Sequence, residues 1–138
     1  MYKRQILDGV ARGVHDRIEY DRGFREREAA GKEYSTFRFL PIEYFAEKGG
    51  VCRHQAVAVI AALQRLREEG YLQGILKFAI GNTEGKRGFV DHVWVEHIDG
   101  YDQTLTIDAT WPRVAIGVPS GYEPYQRPWA VSLVPLFG

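Results

Sequence analysis

The stretch that decides the fold runs from Asp91 to Asp108 and reads DHVWVEHIDGYDQTLTID. His92-Val93-Trp94-Val95-Glu96 and Thr104-Leu105-Thr106-Ile107-Asp108 both alternate with the two-residue period of strands, and Asp99-Gly100 between them is a turn signal. The two segments are expected to pair as a hairpin. Placing the apolar side chains on one face predicts Val93 opposite Ile107, Val95 opposite Leu105, and His92 directly opposite Asp108. This register needs a loop of about three residues, Asp99-Gly100-Tyr101. A slip by one residue would set Val95 against Thr104 and expose half of the apolar set, so burial favours the pairing that joins the imidazole to the carboxylate. Directly opposed side chains lie roughly 4.5 to 5.5 Å apart at Cβ, within reach of such a hydrogen bond.

Upstream, the period changes to that of helices. From Cys52 to Glu69, Ala56, Val59, Ile60, Leu63 and Leu66 form one apolar stripe, and Gly70 is a natural stop. Cys52 precedes Ala56 by one helical turn, so it continues the buried stripe at the helix start. An earlier amphipathic helix is expected from the spacing of Ile6, Val10, Val14 and Ile18, although Gly9 and Gly13 weaken it. The polar run from Arg22 to Lys32 reads as an exposed loop or frayed helix end, and a short helix is expected after Pro41, ended by Gly49-Gly50. Further strands are expected at Gly74 to Gly81, Val90 to Ile98, Leu105 to Trp111, and Trp129 to Leu136, the last as an edge strand because of its prolines. Helices first and a mainly antiparallel sheet after define an α+β fold.

No repeat or linker divides the chain, and its 138 residues, 45% of them hydrophobic and 26% charged, suit one domain over residues 1–138 with one core. Eighteen basic residues balance eighteen acidic ones, which argues against a general attraction to nucleic acid or to anionic membrane surfaces. A single cysteine forms no internal disulfide and no signal-like apolar run follows the start, so a cytoplasmic protein is expected.

Three blocks together resemble the transglutaminase-like superfamily. Gly49-Gly50-Val51-Cys52-Arg53-His54-Gln55-Ala56 is similar to that family's glycine-x-cysteine helix start, and Ala61-Ala62-Leu63 to Glu69-Gly70 to the rest of its helix. Asp91-His92-Val93-Trp94-Val95-Glu96 resembles its His-x-Trp-x-Glu strand, and Leu105-Thr106-Ile107-Asp108-Ala109-Thr110 its aspartate strand. Ile18-Glu19-Tyr20-Asp21 is similar to the helix exit that precedes the cysteine block. The resemblance implies a papain-like core in which Cys52 is the nucleophile, His92 the general base and then acid, and Asp108 the residue that holds the imidazole. It implies a protein or peptide substrate attacked at a peptide or glutamine amide through a thioester, with no cofactor and no metal. The sequence departs from many relatives in the residue that assists the oxyanion, since no Trp precedes Trp94 and the nearest glutamine upstream of Cys52 is Gln5.

Blander assignments compete with these. A lone cysteine on an apolar stripe is ordinarily a small buried hydrophobe. His54 lies beside Cys52 in sequence, but two residues along a helix turn it some 200° away, so a solvated histidine is expected. His97 falls on the opposite strand face from His92, and no close Cys/His pair has zinc-site spacing. Trp111 and Trp129 read as core or cleft walls, whereas Trp94 shares the face of His92 and is the candidate substrate contact. The block Gly49-Gly50-Val51-Cys52 also resembles the cysteine block of arylamine acetyltransferases, and a non-catalytic binding module of the same fold is the alternative outside enzymes.

Overall fold

A computed structural model describes residues 2–21, 23, 50–83, 92–99, 103–125 and 131–134. The helix expected after Pro41, and all of the polar loop from Arg22 to Lys32 except Gly23, lie outside the described residues. Two helices, α1 (Tyr2–Arg17) and α2 (Cys52–Glu68), pack on one another and on an antiparallel sheet. Its strands are β1 (Ile75–Asn82), β2 (His92–Ile98), β3 (Thr104–Asp108), β4 (Arg113–Ile116), β5 (Glu123–Pro124) and β6 (Val131–Val134). The order across the sheet is β4-β3-β2-β1, with β5 and β6 sharing the outer edge of β1. This is the expected α+β arrangement.

The α2 stripe is buried from Cys52 through Ala56, Val59 and Ile60 to Leu63. Gly70, at φ +86°, ends the helix with Tyr71 N–H returned to Leu66 O at 2.9 Å, a left-handed closure that favours glycine. Alternation along the strands turns Leu76, Val95, Leu105, Ile107 and Val114 toward the helices, where they join Leu7, Ala11, Val59 and Leu63 in the main core. Each fully buried Leu or Ile of this cluster is worth about 1.5–3 kcal/mol over its exposed state.

The hairpin has the expected faces but a different register. Val95 pairs with Ile107 and His97 with Leu105, a shift of two residues, so His92 does not lie directly across from Asp108. Burial excludes a slip of one residue but is indifferent to a slip of two, because the same side chains stay on the same faces. The choice is made at the turn, where Asp99 N–H donates to Gln103 O at 3.1 Å and Gln103 N–H to Asp99 Oδ1 at 3.0 Å. The strand expected from Leu105 to Trp111 also stops early, at Asp108, and Ala109-Thr110 turn the chain into β4.

The exit of α1 and the approach to α2 are clasped together. Gly50 N–H donates to Glu19 O at 3.0 Å, and Asp21 N–H to Gly50 O at 2.7 Å. Among the described residues no helix is long and apolar enough to cross a membrane.

Candidate active site

Cys52, His92 and Asp108 converge, and each stands at the end of an element. Cys52 is the first residue of α2, His92 the first of β2, and Asp108 the last of β3. Because β2 and β3 run antiparallel, His92 and Asp108 fall at the same end of the sheet, and α2 brings its N-terminus there. A helix start offers outward-pointing N–H groups and the positive end of its dipole, both favourable to a thiolate. The α2 start is formed without a side-chain cap from Val51, which has no acceptor to give. His54 supplies the reciprocal bond, its Nδ1 accepting from Val51 N–H at 3.0 Å. His54 is thus half-buried and fixes the helix start, in place of the solvated role expected for it.

His92 Nε2 donates to Asp108 Oδ2 at 2.7 Å, although their register makes them diagonal rather than opposite neighbours. Diagonal Cβ atoms lie roughly 7–8 Å apart, a span that an imidazole and a carboxylate bridge together. The Cys52 side chain is the other group that acts on the ring, and it favours the protonated imidazole. No more than 1% of any of the three residues is exposed. Burial pulls the His92 pKa down, but hydrogen bonds to Asp108 and Cys52 and the charges of both raise it from 6.5 to about 9.

Asp108 accepts from three donors. Besides His92, Tyr122 Oη–H reaches Oδ2 at 2.6 Å and Thr110 N–H reaches Oδ1 at 3.0 Å. The Thr110 hydroxyl continues to Gln55 Oε1 at 2.7 Å, and Gln55 Nε2 donates to Ile18 O at 3.0 Å. This chain ties the acid's turn to α2 and to the exit of α1. The Nδ1 of His15 on α1 makes a further bond to Ala109 O at 2.9 Å.

Aromatic rings enclose the imidazole. Trp111 lies 4.9 Å from His92 between centroids, Trp94 lies 6.1 Å away and stacked, and Tyr122 meets Trp94 edge-on at 5.1 Å. Trp94 is 1% exposed and its Nε1–H donates to Glu96 Oε2 at 3.2 Å, so the ring backs His92 instead of walling an open groove. Glycine at 81 permits this packing, for a Cβ there would stand 2.6 Å from the Trp94 ring and closer still to Glu123 O. Among the described residues no group of three or more His, Cys, Asp or Glu side chains is placed to hold a metal ion.

Tyr122, Gln55 and His15 were not legible as partners of the site. Thr110 was visible only as part of the aspartate block, while Tyr122 sits in the irregular stretch between Gly117 and Pro124, where no periodicity points to it. No protein-family model, no curated protein and no solved structure matches the chain.

Proposed function

We propose that the protein is a transglutaminase-like cysteine enzyme with a papain-like core, acting on a peptide or glutamine amide. The observation that carries this reading is a buried imidazole whose Nε2 is held by a carboxylate at 2.7 Å and whose protonation is favoured by a helix-start thiol. Nε2 is committed to Asp108, so the proton exchanged with the thiol belongs to Nδ1. The Cys52 thiolate attacks the carbonyl carbon, and the resulting oxyanion lies near the N–H groups at the start of α2. Collapse breaks the C–N bond as His92 gives its proton to the leaving amine or ammonia, and a thioester remains on Cys52. Water, losing a proton to His92, then attacks the thioester and releases a carboxylic acid; an amine in place of water yields a new amide. Asp108 holds the ring and its charge throughout without exchanging a proton.

A second reading, a non-catalytic binding module of the same fold, draws on the burial of Cys52. Incubation with candidate peptides and mass analysis of the products separates the two, since hydrolysis, deamidation and cross-linking change mass differently. Cys52→Ala is expected to abolish turnover and leave the fold nearly intact, because alanine suits a helix start and fills most of the volume. Turnover retained in that variant would remove the nucleophile from the scheme.

A further inference from the structure

We infer that Tyr122 is a positioning residue that sets the proton affinity of His92 through their shared acceptor, Asp108. The inference rests on the reading of Cys52, His92 and Asp108 as a working triad, but its observable does not. Tyr122 Oη and His92 Nε2 donate to the same oxygen, Oδ2, at 2.6 and 2.7 Å, while Oδ1 is taken by Thr110 N–H. A carboxylate oxygen that already accepts a hydroxyl proton is a weaker base toward the imidazolium beside it. The hydroxyl therefore moderates the pull of Asp108 on His92 and keeps the imidazole able to release its proton to a leaving group. The Tyr122 ring is fixed for this role by its edge-on contact with Trp94 at 5.1 Å, and the Tyr122 N–H is bonded to Pro119 O at 3.0 Å. The tyrosine is 5% exposed, so no bulk water shares the bond.

Among the described residues, the titratable groups that face His92 are Cys52 from α2, Asp108 from β3 and Tyr122 itself. Glu96, the next acid on the same face, is engaged by Trp94 and by Lys77 at 3.8 Å. Tyr122→Phe removes the hydroxyl and retains the ring. The test is the titration of the His92 ring nitrogens by ¹⁵N NMR in the full chain, with His92→Gln to assign the signals. In Tyr122→Phe the midpoint is expected to rise above the wild-type value of about 9 by roughly half a unit to one unit, the size of one hydrogen bond to a charged group only partly transmitted. Where turnover is measured, the alkaline limb of its pH profile should move up with the midpoint. An unchanged or lowered His92 midpoint in a folded Tyr122→Phe would overturn the inference. Should the variant fail to fold, the ring carbon bearing the hydroxyl of Tyr122 in the wild-type protein is expected to shift with the His92 midpoint, and its indifference to that titration would be equally decisive. Absence of turnover in the wild type would count against the proposed enzyme and leave the NMR result standing.

Discussion

The two faces of the central sheet use the same strands for opposite purposes. Toward the helices, Leu76, Val95, Leu105 and Ile107 pack by shape and apolar area alone. On the other face, His92, Trp94, Glu96, Thr106 and Asp108 are also buried, and directed bonds link them, His92 Nε2 to Asp108, Trp94 Nε1 to Glu96, and Thr106 Oγ1 to Gly117 O at 2.6 Å. The contrast extends to the two histidines of β2. His92, facing two potential anions, is raised to about 9. His97 points into the helix-side core, and burial lowers its pKa despite a bond to Gln73 O; Lys3 adds to the lowering and Asp99 opposes it. The helix face is filled mainly by volume, with His97 and its bond to Gln73 O the exception, whereas the other face is built largely from paired donors and acceptors.

The largest expected effect that probes this division is on rate. Asp108→Asn keeps the volume but presents an NH₂ either to Thr110 N–H or to both His92 and Tyr122, so one set of donors loses its acceptor. Turnover is expected to fall on the order of 10⁴-fold, as when an orienting acid loses its charge and the imidazole takes the wrong tautomer. Iodoacetamide labelling of Cys52 across pH should shift upward in the same variant; superimposable profiles would uncouple Asp108 from the cysteine.

On the helix side the expected effect is on stability. Leu105→Ala, at the opposite end of β3 from Asp108, is expected to cost about 2–5 kcal/mol in chemical denaturation. Its Cys52 labelling profile should match the wild type, and a shifted profile would mean that the two faces are not independent.

The gentlest probe is pH itself, read through melting temperature. His92 binds its proton more tightly when folded, so its contribution is full below 6.5 and is lost as pH rises from 6.5 through about 9. His97 behaves in reverse: the unfolded chain takes up a proton near 6.5 that the fold resists, and stability declines as pH falls below that value. His92→Gln should flatten the alkaline slope and His97→Gln the acid slope; exchange of these outcomes would reverse the assignment of the faces.

These faces were legible in the sequence because alternation fixes parity. The apolar set of β2 and β3 could be buried only with His92 and Asp108 together on the other side. The α2 helix was legible for a similar reason, its stripe being long and ended by a glycine at positive φ. What parity does not fix, it left open. The slip of two residues came from the Asp99 to Gln103 turn bonds, which no pattern of hydrophobicity encodes. Strand β5 was missed because two residues are too few to display a period and it contains Pro124, and β4 because the chain turns at Ala109-Thr110, where the alternation was read as running on to Trp111. Tyr122 was missed with them, since its partner is decided by tertiary approach to Asp108 and not by any neighbour in sequence.

The clasp between Glu19, Asp21 and Gly50 joins two stretches of chain far apart in sequence through backbone atoms alone. Gly50 stands two residues before the thiol, so these bonds hold the start of α2 against the exit of α1. Because both donors are main-chain N–H groups, the residue type that would remove one of them is proline, at position 21 or 50.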